Sequence, residues 1–280
     1  MYLFDTHAHL QDEPFEADFN VLLVKLEQNR VGRVVLPGSD LPDSRKAAEL
    51  ALRHPGLYCA LGFHPHEAAS WTETSREELK ELILETEAAG KAQGRERVVV
   101  AVGEIGLDYH YDFSPSDIQA KVYREQLELA AELNLPVVIH EREAFADSLE
   151  ILRQAKKDGL LELPFDCHCY SGSVEGAELL LELGAYLGFD GPITFKNARK
   201  APDVLASLPA DRFLLETDSP YLTPVPFRGK RNDPSYLEYI ARKAAEIRNS
   251  SYEEIVEQNW QNACRFYRLD PEKTSEIISA

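Results

Sequence analysis

The chain has 280 residues, 44% of them hydrophobic, and a formal net charge of −18. That charge excludes a protein that coats long stretches of nucleic acid, which needs many phosphates neutralised, although an end could still be gripped by a local basic patch. No apolar run reaches membrane-spanning length, the N-terminus lacks a signal-peptide pattern, and the four cysteines, Cys59, Cys167, Cys169 and Cys264, are spaced too irregularly for a disulfide framework. A cytoplasmic protein is the expectation.

In chain order, short β-branched runs alternate with longer segments of helical period. "YLFDT" reads as the first strand and leads into His7 and His9, whose spacing of two puts both imidazoles on one face. The helical stretch "FEADFNVLLVKLEQN" leads to "RVVLPG"; "LYCALG" follows, with His64 and His66 just beyond it. After the helix "TSREELKELILETEAAG", "VVVAVG" delivers Glu104. "SDIQAKVYREQLELAAELN" leads to "PVVIH", which ends in His140, and "AFADSLEILRQAKKDG" to "PFDCH", which ends in His168. "SVEGAELLLELG" precedes "AYLGF", and the eighth run, "RFLLET", leads into Asp218. Gly90, Gly159 and Gly184 suit helix C-caps. The last helices, "PSYLEYIARKAAEIR" and "SYEEIVEQNWQNACRFYRL", are expected to pack outside.

Eight alternations without a composition break predict an α/β fold, a TIM-like (β/α)8 barrel with extra C-terminal helices. Residues 1–268 form a single barrel domain in this reading, and 269–280 a weakly ordered tail.

Barrel enzymes build their sites at the C-terminal ends of the strands. Six of the eight histidines fall there together with Glu104 and Asp218. A lone histidine is more often structural, but a set delivered by separate strands points to one shared site, and imidazole with carboxylate suits zinc, manganese or magnesium. Alternation turns Cys167 and Cys169 away from His168, so they read as small buried hydrophobes rather than ligands. The same parity points Val98, Val100 and Val102 into the barrel beneath Glu104. It also sets Asp5, Asp166 and Glu216 under the candidate ligands, to hold an imidazole N–H or to pair with a buried cation.

His7, His9 and Asp218 could hold one ion and His140 and His168 a second, with Glu104 bridging. Paired ions clamp the attacking and leaving oxygens of a hydrolysis and lower the pKa of a water to roughly 7. Asp218 is placed to orient that water and accept its proton. No serine or cysteine nucleophile stands out, so direct attack by water is expected. Two basic islands, "TFKNARK" with Lys196, Asn197, Arg199 and Lys200, and "PFRGKR" with Arg228, Lys230 and Arg231, lie at the same end. With Arg142 they are candidates for phosphate, against the alternative of solvated loops. Tyr109, Tyr111, Phe113, Tyr170 and Tyr221 either stack on bases or pack the core.

Taken in order, "DTHAHL", "GFHPH", "GEIGLDYHYD", "LPVVIHERE", "DCHCYSGS", "GPITFKNARK" and "LLETDSPYLTPVPFRGKRNDP" resemble the TatD family of metal-dependent deoxyribonucleases, within the amidohydrolase-like barrels. The resemblance implies a barrel with two divalent cations per subunit (magnesium, manganese or zinc) that hydrolyses DNA phosphodiesters, often as a 3′–5′ exonuclease, in repair or degradation. The family's metal ligands match His7, His9, Glu104, His140, His168 and Asp218, and its further active-site histidine matches His64. The catalytic candidates are thus Asp218, Glu104 and His64, and the substrate-binding ones Arg142, Lys196, Asn197 and Arg228. The expected partner is a DNA end held by a short contact, with no membrane and the oligomeric state open. The alternative is a D-aminoacyl-tRNA deacylase or another ester or amide hydrolase on the same two-metal site. Glu104 favours phosphodiesters, because many related hydrolases of amides or triesters carry a modified lysine on the fourth strand.

Overall fold

The computed structural model describes residues 1–273. The alternation becomes eight parallel strands: β1 (Leu3–Asp5), β2 (Val31–Pro37), β3 (Leu57–Leu61), β4 (Val99–Asp108), β5 (Val137–Arg142), β6 (Phe165–Cys167), β7 (Ala185–Phe189) and β8 (Phe213–Leu215). Each is hydrogen-bonded to the next in sequence order. Beyond β8 and β1 the chain continues the pairing, with Asp218 N–H donating to His7 O at 2.9 Å and His9 N–H to Ser219 O at 2.7 Å. These bonds bring the last strand beside the first, and the sheet curls into a nearly closed TIM-like barrel. Such strands are covered on both faces, which is why they read as apolar runs rather than as alternating ones.

The helices are α1 (Glu13–Glu16), α2 (Phe19–Gln28), α3 (Leu41–Arg53), α4 (Ser75–Ala92), α5 (Ser116–Leu133), α6 (Phe145–Lys157), α7 (Val174–Leu183), α8 (Lys200–Ser207), α9 (Leu237–Arg248) and α10 (Tyr252–Tyr267). The first expected helix is split into α1 and α2. Two helices were not singled out in the sequence, α3 and α8. The start of α3 is nonetheless well signalled, with the Asp40 side chain accepting from Asp43 N–H and Pro42 in the first turn. Gly159 and Gly184 do stand at helix ends with positive φ. Gly90 does not: α4 runs on to Ala92, and a Cβ at this glycine would collide with Val98 Cγ2. Its missing side chain serves close packing of α4 against the strand region.

Two apolar clusters hold the molecule together. The larger lies between strands and helices. The other fills the barrel, where Phe4, Val35, Tyr58, Val138, Tyr186 and Leu214 meet Trp260, Phe266 and Tyr267 of α10. The final helix therefore seals the N-terminal end of the barrel instead of merely packing outside. Asn259 of α10 donates to Phe4 O (2.8 Å) and accepts from Leu215 N–H (2.9 Å), and Tyr267 OH donates to Thr6 O at 3.0 Å. Of the three valines expected inside, Val100 alone joins this cluster; Val98 and Val102 belong to the outer one. The pairing of β4 shifts register against both neighbours, between Cys59 and Ala60 and between Val102 and Ile105, so a strict period of two fails there.

Arg33 at the base of β2 is fully buried. Its guanidinium lies 4.7 Å from the Trp260 ring and donates to Asp270 O (3.0 Å) and Lys273 O (2.8 Å). Residues 274–280, most of the segment expected to be weakly ordered, lie outside the described residues. Among the described residues no helix is long and apolar enough to cross a membrane.

Candidate metal centre

The strand ends carry their polar side chains to one end of the barrel. His7 and His9 follow β1, and their Nε2 atoms stand 3.3 Å apart. Asp218, beyond β8, takes a positive φ of 54°, and its Oδ1 lies 3.5 Å from His9 Nε2 and 3.8 Å from His7 Nε2. Glu104 enters from the middle of β4. One of its oxygens, Oε2, is 3.2 Å from His7 Nε2; the other, Oε1, is 2.7 Å from His140 Nδ1 and 3.6 Å from His168 Nε2. A single carboxylate thus faces two groups of donors.

The ligand atoms of His7, His9 and Glu104 lie within 4.8 Å of one another, and so do those of His64, Glu104 and His140. This compactness fits divalent ions. The donors are imidazole and carboxylate throughout, which suits zinc, manganese or magnesium. His64, expected as a separate active-site histidine, stands with the second group.

Behind these donors sit carboxylates that fix them, and here the expected pairings change. Glu216 accepts from His168 Nδ1–H (3.0 Å) and from Cys169 N–H (2.7 Å), so it is the partner of His168. Asp5 binds backbone and hydroxyl groups, His7 N–H at 3.2 Å and Thr217 Oγ1–H at 2.6 Å, rather than an imidazole. Asp166 was expected beneath His168, yet neither of its oxygens finds a hydrogen-bond partner among the described residues. Burial, reinforced by Glu216, raises its pKa far above the usual carboxylate range. Cys167 packs in the outer cluster as expected. Cys169 lies beyond the end of β6 with a φ of 49°, so alternation no longer governs the position, and its thiol meets Asp190 rather than joining the outer cluster.

The residue missed from the candidate set is Asp108, at the end of β4 and fully buried. Its Oδ2 accepts from His140 Nε2–H at 3.0 Å and His66 Nε2–H at 2.9 Å. The signal was available, since "GEIGLD" continues the strand four residues past Glu104. Gly106 makes this path possible, because a Cβ there would meet His140 O as β4 presses on β5.

Charge is shared around the ring. Burial opposes a proton on His9, but the hydrogen bond and charge of Asp218, with Glu104 and Asp12, take it up to about 9. Burial likewise opposes charge on His140, and Asp108 and Glu104 take it up to about 9. Burial would raise Glu104, yet the surrounding imidazoles of His168, His7, His64 and His140 hold it well below its ordinary value. His7 and His64 shift down, through burial and then neighbouring imidazoles. Glu104 is therefore held in the ionised form, the form in which a carboxylate binds a cation.

A cavity of about 510 Å³ opens over these groups, and Arg142 and Tyr221 share its wall. Lys196, Asn197 and Arg228 do not line it. They are exposed on two adjoining loops, where the Arg228 guanidinium lies 3.7 Å from the Phe195 ring centroid and Val225 N–H donates to Thr194 Oγ1. Arg231 is engaged by Asp18 at 2.7 Å. Tyr170 is buried, its hydroxyl donating to Ser173 O, and so is no rim aromatic.

Comparison with known proteins points to one family. A family model described as "TatD related DNase" matches residues 4–268. A Bacillus subtilis protein named "Uncharacterized metal-dependent hydrolase YabD" is 42% identical over 268 residues, spanning 96% of this chain and 100% of its own. The "3'-5' ssDNA/RNA exonuclease TatD" of Cronobacter sakazakii is 33% identical over 271 residues, 95% of this chain and 97% of its own. The crystal structure of YJJV, a TatD homolog from Escherichia coli K12, superposes with a TM-score of 0.86 at 31% identity, covering 96% of this chain and 98% of that one.

Proposed function

Because the chain belongs to the TatD-related DNase family of metal-dependent hydrolases, we propose that it cleaves DNA phosphodiester bonds by metal-assisted attack of water, as a 3′–5′ exonuclease on single-stranded ends, in repair or degradation. The observation that carries this reading is the division of Glu104 between two donor groups on one cavity floor. His7, His9 and Asp218 would hold one divalent ion, His140 and His168 the other, and Glu104 would reach both; His64 is near enough to complete the second group. When bound, such ions polarise a phosphoryl oxygen and make a water more acidic.

The chain's own groups supply the rest. Asp218 Oδ1 faces the His7–His9 pair, with its backbone pinned to His7 O, and there orients the attacking water and takes up its proton. Glu216 turns His168 so that Nε2 points toward Glu104, and Asp108 turns His140 so that Nδ1 does. Arg142 offers a cation to phosphate at the cavity wall. Lys196, Asn197 and Arg228 meet the strand farther from the scissile bond. Few phosphates are engaged in this arrangement, which accords with a net charge of −18.

The test is an oligonucleotide labelled at its 5′ end, incubated with the protein and magnesium or manganese. Stepwise shortening from the 3′ end, stopped by chelator, is expected. Faster turnover of a D-aminoacyl-tRNA than of the oligonucleotide by the same preparation would replace this reading with the deacylase.

A further inference from the structure

The loop that follows β4 exposes two large rings beside the cavity. Phe113 is 64% exposed and Tyr111 42%, and the two stack with centroids 5.3 Å apart and planes 28° apart. Both meet the His66 ring edge-on, at 5.4 Å for Tyr111 and 4.8 Å for Phe113, and His66 lines the cavity. Arg142, from the same wall, lies 5.0 Å from the Tyr111 ring centroid. Cation, ring and ring thus form a continuous row running outward from the candidate centre.

This row is held firmly. Asp108 Oδ1 accepts from His110 N–H (2.9 Å) and Tyr111 N–H (3.1 Å), while its Oδ2 takes the N–H groups of His66 and His140. One buried carboxylate therefore sets the spacing between a candidate metal ligand and the platform. Ser114 Oγ closes the far side, donating to His66 O at 2.7 Å and accepting from Ala69 N–H at 3.0 Å. A platform fixed in advance loses little freedom when something stacks on it.

Resting on the nuclease reading above, we propose that Tyr111 and Phe113 form a stacking subsite for one nucleobase of the substrate strand, with Asp108 as the positioning residue that ties the subsite to His140. A nucleobase is the occupant that matches the surroundings. Its flat face meets the exposed ring, and the phosphate attached to the same nucleotide falls toward Arg142 and the cavity. Stacking of this kind tolerates any sequence, because every base presents a π face. That suits an enzyme which removes nucleotides one after another.

The experiment measures kcat/KM on a single-stranded oligonucleotide and on versions with one abasic position moved through the last four nucleotides. Phe113→Ala is expected to lower kcat/KM on the intact strand about 10-fold through KM, the effect of one lost base–aromatic stack. Phe113→Trp should retain it. With the wild type, one abasic position should reproduce the loss, and on that substrate the Phe113→Ala penalty should fall below about 2-fold if the two changes remove the same stack. Equal kcat/KM for Phe113→Ala and wild type on the intact strand overturns the subsite, as does an identical loss at every abasic position. A wild-type protein that shortens no oligonucleotide overturns the nuclease reading and the subsite with it.

Discussion

The two ends of this barrel are made from the same strands and obey different rules. In β1, Phe4 lies against the rings of α10, while His7, three residues on, stands among the candidate ligands. The N-terminal end is mostly apolar and closed; among its polar groups, Asn259 and the Tyr267 hydroxyl tie α10 to the backbone carbonyls of Phe4 and Thr6, and the buried Arg33 lies against Trp260. The C-terminal end is polar and open, and beneath it lies an acid, Asp166, with no hydrogen-bond partner among the described residues. The contrast teaches that stability and chemistry are separated along each strand by a few residues. Substitutions at one end should change folding, and at the other turnover.

That separation can be broken or sharpened by measurement. The largest effect is expected for Asp218→Asn, which should lower turnover of single-stranded DNA by about 10²–10⁴-fold and leave the thermal midpoint within a few degrees of wild type. A collapse of the midpoint would mean that the open end also carries the fold. Phe266→Ala at the closed end should cost about 3–5 kcal/mol, seen as a lower urea midpoint, with kcat kept under conditions where the variant remains folded. Manganese at about a hundred times its dissociation constant should stabilise the wild type by about 2.7 kcal/mol. Chelator should remove that gain, and Glu104→Gln should largely lack it. The smallest effect is expected for Tyr267→Phe, which gives up one hydrogen bond to Thr6 O, about 1 kcal/mol, with kcat/KM unmoved.

The open end was largely legible in the sequence and the closed end was not. Histidines at strand ends can be placed by counting, because a barrel sends every strand terminus to the same rim, and His7, His9, His140 and His168 come together as that rule requires. An apolar stripe on α10, by contrast, states only that the helix has a buried face, not that the face covers the bottom of a barrel. Helix α3 escaped notice because its buried stripe is Ser44, Ala47, Ala48 and Ala51, side chains too small to give a strong hydrophobic period. Helix α8 is eight residues long and begins inside a basic run that reads as loop. Val98 and Val102 were misplaced because β4 shifts register twice, and simple alternation cannot carry a residue's facing across such a shift, whereas Asp108 was missed because the fourth run was taken to end at Gly103 and β4 continues to Asp108.

Arg33 carries a practical consequence for anyone who trims this protein. Its charge has no carboxylate beside it among its described contacts; aromatic faces and the Cys264 sulfur surround it, with the carbonyls of Asp270 and Lys273 as acceptors. A shortened version stopping at Arg268, where the family match ends, would strip both carbonyl acceptors from a cation already out of water. Truncation should therefore end no earlier than Lys273, and a version cut at 268 should show its damage as poor soluble yield rather than as an altered rate per folded molecule.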